Sequence, residues 1–524
     1  MAFRTQDLYA FFTHEIAKKA GYTGPAIPPG GPRVTGLEYD SRKVQPGNLY
    51  FALPGIHTDG HKYIDDAIGR GASVIIYENE LRDHRDGVIY LRVKDSRFAM
   101  SPVAAAFYGC PSRRMTVIGV TGTEGKSTTV YLIWQLLRLM GKKAGFFSTV
   151  QHSLGDDALE NIEHQTTPEA TAVQKLLFEM AEKGAEYAVV EASSHGLSPR
   201  TNRLGDVDFD AAVMTNVTHE HLEFHGTWEQ YRDDKANLFR ALDRDDSACR
   251  IAVINADDPS AAFFAAATNK KTQTFSIRGR DADIGVISIE SSSKGNCYKV
   301  LLRETGETID IRDQLPGAFN AGNVLAALLA VSGLLGLPIR EIAAQVPALR
   351  PVRGRMTAIA NKLGIEVVVD YAHTPSSFET IFPPLRERLN KSGARIISLF
   401  GSAGERDTQK RPQQGRIAAD YSDIIILTDE DPRGEKPMDI LEEIAKGCFA
   451  AQGCESVSWK RGENLFLIPD RPAAIRKALS LARPKDLVLL LGKGHENSII
   501  YAEKTIPYDE IGETEKALAE IEIK

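Results

Sequence analysis

A series of short apolar runs recurs along the chain, most of them followed by a longer helical pattern: Met115 to Val120, Tyr187 to Val190, Ala211 to Met214, Val367 to Val369, Ile396 to Phe400, Ile424 to Leu427 and Leu487 to Leu491. Strands that read as continuous apolar runs are buried on both faces, and strands separated by helices must pair in parallel through crossovers. The pattern predicts an α/β chain with mostly parallel sheets covered by helices. At 524 residues it is too long for one core and divides into about three domains. Residues 1–114 hold shorter runs, Leu49 to Leu53 and Ala72 to Tyr77, separated by Gly and Pro, and read as a small α/β domain. The turn-rich Tyr108 to Arg114 marks its end, so 115–350 forms a central domain. Within it, the most apolar stretch, Val324 to Pro338, is interrupted by Ser332, Gly333 and Gly336 and reads as a buried helix and turn. The linker-like Leu349 to Arg355 then opens a third, Rossmann-like domain, 351–524.

Between the strand Met115 to Val120 and a helix from about Lys126 to Met140 lies Thr121-Gly122-Thr123-Glu124-Gly125-Lys126-Ser127-Thr128. Glycines there let backbone N–H groups turn onto phosphate oxygens, the helix N-terminus adds positive potential, a lysine reaches the outer phosphates and a hydroxyl ligates Mg²⁺. The strict spacing GxxxxGK[ST] wants glycine where Val120 stands, so this is a variant loop; a Gly-rich turn with a chance lysine is the competing reading. Tyr187 to Val190 ends in Glu191, where a carboxylate beside a phosphate loop can hold Mg²⁺. The alternative there is a solvated strand-end glutamate. Beyond Thr215-Asn216 come His219, Glu220, His221, Glu223 and His225. Their spacing does not match the helical HExxH zinc pattern, and each histidine by itself reads as surface or structural.

Charge and cysteine usage narrow the classes further. Sixty-three Lys and Arg against seventy Asp and Glu leave a net charge of −7, which excludes nucleic-acid binding by global charge and leaves room for a local basic cleft. Five cysteines without a CxxC pair indicate neither a disulfide framework nor structural zinc, and a cytoplasmic chain is expected. The opening MAFRTQDLYAFF lacks a signal-peptide core, and no window approaches the ~18 apolar residues of a membrane span.

The string Thr215-Asn216-Val217-Thr218-His219-Glu220-His221-Leu222-Glu223-Phe224-His225-Gly226, with Tyr231, Lys235 and Leu238-Phe239 downstream, resembles the TNxxxDHLDxHG…Y…K..LF signature of the Mur ligases, the ATP-dependent amide-forming enzymes of peptidoglycan assembly. The variant phosphate loop is similar to their TGTNGK[ST] element. Further collinear matches run from Asp40-Ser41-Arg42 and Asp59-Gly60-His61 through Asn255-Ala256-Asp257-Asp258 and Gly354-Arg355-Met356 to Gly404-Glu405-Arg406-Asp407. Glu430-Asp431-Pro432-Arg433 and Gly492-Lys493-Gly494-His495-Glu496 resemble the branch that adds a diamino acid to UDP-N-acetylmuramoyl-L-alanyl-D-glutamate.

The resemblance implies a UDP-substrate-binding N-terminal domain, a central ATPase domain and a C-terminal amino-acid-binding domain, acting as a monomer through an acyl phosphate. It implies catalytic Lys126, Lys235, His221 and Glu191. ATP contacts would come from Gly122, Thr123, Glu124, Gly125, Lys126, Ser127, Thr128, Asn255, Asn320 and Arg355. Ser127, Glu191, His221 and Lys235 would hold Mg²⁺, with Lys235 carbamylated so that its cation becomes an anionic oxygen donor; otherwise it is an exposed helix lysine. Ser41, Thr166, Thr167, Ser193 and Arg203 would contact the UDP-linked substrate, with Arg200 a competitor for Arg203. Asp370 and His373 would line the nucleotide cleft. Arg406, Glu430, Asp431, Pro432, Arg433, Gly492 and Glu496 would form the amino-acid pocket.

Four replacements within the family pattern bear on activity: Glu124 replaces an Asn, Glu220 and Glu223 replace two Asp, and Asp431 replaces the Asn of DNPR. Arg433 favours a distal carboxylate and so meso-diaminopimelate, whereas an added anion at Asp431 favours the bare ammonium of L-lysine or ornithine. Another Mur ligase acting at a different peptide position or a folylpolyglutamate-type ligase, and an inactive nucleotide-binding regulatory protein, are the alternatives.

Overall fold

Ala211–Met214, Ile396–Phe400, Ile424–Leu427 and Leu487–Leu491 are strands with the bounds their apolar runs suggest, and every residue in them is buried. The computed structural model describes residues 5–522 apart from 26, 28–30, 56–57, 162–164, 219–221, 245–249, 293, 391–392 and 452–457. It forms two compact units, residues 1–275 with 326–342, and residues 276–325 with 343–524.

Two sheets dominate the first unit, beside the short antiparallel pair of Gln6–Asp7 with Arg33–Val34. Gly36–Glu38, Asn48–Phe51, Val74–Tyr77 and Ile89–Arg92 pair in parallel in chain order. Helix Ser96–Phe107 packs on this sheet, its N-terminus capped by the Asp95 carboxylate accepting from Phe98 N at 2.8 Å. The larger sheet runs Leu159–Glu160, Gln151–Ser153, Ala144–Phe147, Tyr187–Glu191, Thr116–Thr121, Ala211–Met214, Ile251–Asn255, Lys271–Ser276, and is parallel from Ala144–Phe147 onward. Thr116–Thr121, first of these in sequence, sits between later strands, so connections leave it in both directions. Such a switch point opens a crevice at the carboxyl ends of the strands. Helix Lys126–Leu139 follows directly, burying Val130, Ile133, Leu136 and Leu137, with Trp134 Nε1 donating to Ala144 O. The apolar Val324 to Pro338 stretch falls within helix Phe319–Leu335 and the turn after it, as the sequence suggests.

In the second unit Ile284–Ser292, Gly295–Leu302 and Thr308–Arg312 form an antiparallel meander that the apolar runs do not announce. Gly295–Leu302 and Thr308–Arg312 largely alternate buried and exposed residues, as expected for strands with one solvated face. The other sheet runs Thr357–Ala358, Glu366–Asp370, Leu487–Leu491, Ile396–Phe400, Ile424–Leu427, Leu465–Leu467, parallel except at its first pair. Helices on both faces complete a Rossmann-like layer. Among the described residues no helix is long and apolar enough to cross a membrane, and Cys110, Cys297 and Cys448 are free thiols.

Candidate active site

The phosphate loop leaves the carboxyl end of Thr116–Thr121 at the switch point. Gly122 has φ +153°, and a Cβ there would sit 1.9 Å from Thr215 Oγ1, so no other residue fits. The loop is held from outside by the end of the neighbouring strand: Thr123 N donates to Asn216 O and Glu124 N to Asn216 Oδ1, each at 2.8 Å, while Thr215 Oγ1 donates to Glu124 O at 2.6 Å. The backbone at position 124 is therefore fixed by Thr215 and Asn216 whatever its side chain, and the Asn-to-Glu departure leaves the loop's path intact. Lys126 Nζ donates to Thr123 O at 2.7 Å, and Ser127 and Thr128 lie in the first helical turn.

Glu191, at the end of the adjacent strand, is 1% exposed, so it is not a solvated strand-end glutamate. Its carboxylate accepts from Ser127 Oγ at 2.8 Å, from Thr149 N at 2.8 Å and from Thr149 Oγ1 at 3.0 Å. A buried carboxylate touching a hydroxyl is the hard-oxygen donor set that suits Mg²⁺. Lys235 is also 1% exposed, which removes the exposed-lysine reading. Its Nζ donates to Gly122 O at 2.6 Å and lies 4.4 Å from the Tyr231 ring centroid, and the Tyr231 hydroxyl meets Thr123 Oγ1 at 3.1 Å. His219, Glu220 and His221 fall outside the described residues. His225 is buried, its ring bonded to Asp234 Oδ2 (2.7 Å) and Ser194 Oγ (3.1 Å), a structural role. Burial raises the Asp234 carboxyl, but hydrogen bonds from His225 and Gln230 outweigh it and hold the group below its ordinary value.

Lys126, Tyr231 and Lys235, but not Glu191, Ser127 or His225, face a cavity of about 240 Å³. Lys126, Lys235, Thr166, Thr167, Ser193 and Arg203 line it, together with Gln165, Ser194, His195 and Tyr231. Arg203 donates to Thr167 O and to Glu169 Oε1, both at 2.8 Å, whereas Arg200 donates to Phe224 O away from the cavity. That resolves the choice of arginine at the cavity wall. Thr167 Oγ1 donates to Glu191 O and accepts from Ser193 N, tying this wall to the carboxylate. Ser41 is buried in a short turn capped by Asp40, and Asn255 Nδ2 donates to Thr215 O behind the phosphate loop; neither lines the cavity.

In the second unit, the amino-acid candidates with Asp370 and His373 lie at or beyond the carboxyl ends of parallel strands, whereas Asn320 is in helix Phe319–Leu335 and Arg355 precedes strand Thr357–Ala358. Gly404 N donates to Asp431 O at 2.8 Å, backing the Arg406 loop against the Asp431 loop; Arg406 itself is exposed. Lys493 Nζ bridges Asp431 Oδ1 (2.9 Å) and Glu496 Oε2 (2.5 Å). A Cβ on Gly492 would lie 3.0 Å from Glu430 Oε2, and Pro432 O accepts the Glu435 N–H. Arg433 has φ +54° and donates its N–H to Ile500 O. Asp429 Oδ2 accepts from Tyr501 OH at 2.9 Å, and burial pushes its carboxyl up to about 6. Asn320 Nδ2 donates to Pro316 O, and the Arg355 guanidinium lies 4.6 Å from the centroid of Tyr371. Asp370, fully enclosed, is raised by burial although Arg355 and the Met356 and Ala372 N–H groups oppose this, and His373 Nδ1 is bonded to Tyr371 O.

Three family models match in order: the Mur ligase family catalytic domain over residues 33–108, the Mur ligase middle domain over 120–331, and the Mur ligase glutamate ligase domain over 354–494. The "UDP-N-acetylmuramyl-tripeptide synthetase" of Treponema denticola is 53% identical over 91% of this chain and 92% of its own. The chain belongs to the Mur ligase family. The "UDP-N-acetylmuramoyl-L-alanyl-D-glutamate--2,6-diaminopimelate ligase" of Caldanaerobacter subterraneus subsp. tengcongensis is 35% identical over 94% of this chain and 97% of its own. A solved structure of a ligase of that name superposes with a TM-score of 0.61 at 28% identity, covering 93% of this chain and 95% of the other.

Sequence reading of this Mur ligase missed Thr149, Gln165, Tyr231 as a cavity residue, and Lys493 as the partner of Asp431. Thr149 and Gln165 stand in stretches without periodicity and carried no signal. Lys493 did carry one, a lysine two residues beyond the wholly buried Leu487–Leu491, because a cation so placed needs a counter-charge.

Proposed function

We propose that this Mur ligase uses ATP to join a diamino acid, meso-diaminopimelate, to the D-glutamate of UDP-N-acetylmuramoyl-L-alanyl-D-glutamate in the cytoplasm. The observation that carries the reading is one cavity wall presenting Lys126 and Lys235, with Ser127 and Glu191 in contact behind the loop and Thr166, Thr167, Ser193 and Arg203 around it. The proposed division is a UDP-binding domain at 1–114, an ATPase domain at 115–350 and an amino-acid domain at 351–524.

The reaction brings two anions together. The D-glutamate side-chain carboxylate attacks the γ-phosphorus of ATP, the bond to the β,γ-bridging oxygen breaks and ADP leaves. The neutral amine of the diamino acid then attacks the acyl carbon, and the tetrahedral intermediate expels inorganic phosphate as the amide forms. Charge neutralisation and positioning are what such transfers require. Loop N–H groups at the start of helix Lys126–Leu139 would bind phosphate oxygens, and Lys126 would exchange its bond to Thr123 O for one to the γ-phosphate. Arg203 and the Thr166 and Thr167 hydroxyls would orient the acceptor.

Ser127 and Glu191 would hold Mg²⁺, which supplies positive charge against the phosphates, with His221 and Lys235 proposed as ligands to a second ion. Addition of CO₂ to the neutral Lys235 amine, with loss of one proton, would give a carbamate. Such a group still has one N–H for Gly122 O while offering two oxygens to a cation. Asn255, Asn320 and Arg355 are proposed around the nucleotide, and Ser41 on the uridine. Arg406, Glu430, Arg433, Gly492 and Glu496 are proposed around the diamino acid.

The test is ATP-dependent phosphate release on UDP-N-acetylmuramoyl-L-alanyl-D-glutamate with meso-diaminopimelate, L-lysine and L-ornithine side by side. Highest kcat/KM with meso-diaminopimelate is expected. Release only with a folate acceptor would instead support the folylpolyglutamate reading, and ATP binding without release under any combination would support the regulatory one.

A further inference from the structure

Asp431 poses an electrostatic problem for a pocket meant to take a distal carboxylate, because an acid stands where the family pattern has a neutral amide. Its surroundings resolve the problem. Oδ1 accepts from Lys493 Nζ at 2.9 Å and from Ile500 N at 3.0 Å. The Lys493 side chain has no exposed surface, and its other contact, Glu496 Oε2 at 2.5 Å, comes from its own loop; Glu496 Oε1 accepts from Tyr371 OH at 3.1 Å. Burial opposes the charge on Lys493, but the two carboxylates outweigh it and hold the ammonium protonated above its ordinary range. Two polar atoms of the same loop, Glu430 Oε2 and Arg433 Nε, are buried without a hydrogen-bond partner among the described residues. One is an acceptor with negative charge, the other a donor with positive charge. Together they complement a side chain ending in both an ammonium and a carboxylate, rather than one ending in an ammonium alone.

We propose that Lys493 is a specificity-determining residue that pairs with Asp431 from within, so that Arg433 can receive a distal carboxylate that an unpaired Asp431 would repel. The inference rests on the diamino-acid reading above. It makes Lys493 a positioning residue, acting through Asp431 and Glu496 rather than on the substrate.

The experiment uses the full chain and three variants, Lys493→Met, Asp431→Asn and the double substitution. Phosphate release is measured with meso-diaminopimelate and with L-lysine on the same preparation. The ratio of kcat/KM values for the two amines does not depend on how much of a variant is folded. Lys493→Met should lower that ratio on the order of ten-fold or more, since it leaves like charges facing each other. The double variant should restore most of it, because removing the Asp431 charge makes the counter-ion unnecessary. Equal losses with both amines, or no recovery in the double variant, would reduce Lys493 to a structural role and overturn the inference while the ligase reading stands. Silence of the unaltered enzyme with every amine would remove both.

Discussion

At the residue scale, most of the chemistry in this protein lies in groups whose burial changes what they mean. Without the glycine-rich loop and the family resemblance beside them, Glu191 and Lys235 would read as ordinary surface residues, and each is 1% exposed. Chain-local pattern shows the residue type but not its solvent exposure, which comes from strands and helices far away in sequence. Asp429 illustrates the energetic side. Burial lifts its carboxyl to about 6 in the folded state, against an ordinary value near 4 in the unfolded chain, so the fold favours the protonated form. That stabilisation is complete below pH 4 and is lost as pH rises through 6. Above it the ionised group costs roughly 3 kcal/mol relative to its neutral form. Asp429→Asn, neutral at every pH, should therefore raise Tm at pH 8 and change it little at pH 4. Thermal unfolding at the two pH values checks this, and an equal shift at both would show that ionisation is not the cause.

At the scale of elements, the strands that carry the candidate site were legible where burial on both faces makes the sequence continuously apolar, as in Ile396–Phe400 and Leu487–Leu491. The meander Ile284–Ser292, Gly295–Leu302 and Thr308–Arg312 was not, because a half-solvated strand dilutes its apolar residues with Ser, Glu, Lys and Asp. Loop shape shows the same division. The glycines of the phosphate loop could be read directly, but their support by Thr215 and Asn216 required the parallel pairing of two strands.

Helix Glu510–Glu522 contributes a further support that no local pattern signals. Its first residue, Glu510, pairs with Arg471, both side chains wholly buried, and Arg471 also donates to Asp429 O and Leu491 O. One guanidinium thus ties the ends of two strands whose following loops carry the amino-acid candidates. Glu510→Gln leaves that cation buried without its counter-charge and should cost about 3–5 kcal/mol of stability. Urea unfolding with an unchanged m-value would measure it, and a loss below about 1 kcal/mol would mean that the pair is dispensable.

At the scale of the whole molecule, two compact units each bury their own apolar clusters, the larger sheet in one and the Rossmann-like sheet in the other. Calorimetric unfolding should accordingly depart from a single two-state transition. Because the 240 Å³ cavity lies wholly in the first unit, the UDP-linked dipeptide at about 100 times its Kd should stabilise that unit by about 2.7 kcal/mol. A shift confined to the other transition would remove the acceptor assignment. The amino-acid sequence by itself determined the fold class, the position of the glycine-rich loop between strand and helix, and the family, because these depend on apolar periodicity, on glycines at fixed spacing and on collinear motifs. Only the tertiary structure decided that Glu191 touches Ser127, that Arg203 rather than Arg200 faces the cavity, and that Lys493 holds Asp431. Those are contacts between residues far apart in sequence, and their charges acquire meaning only when folding removes water from between them.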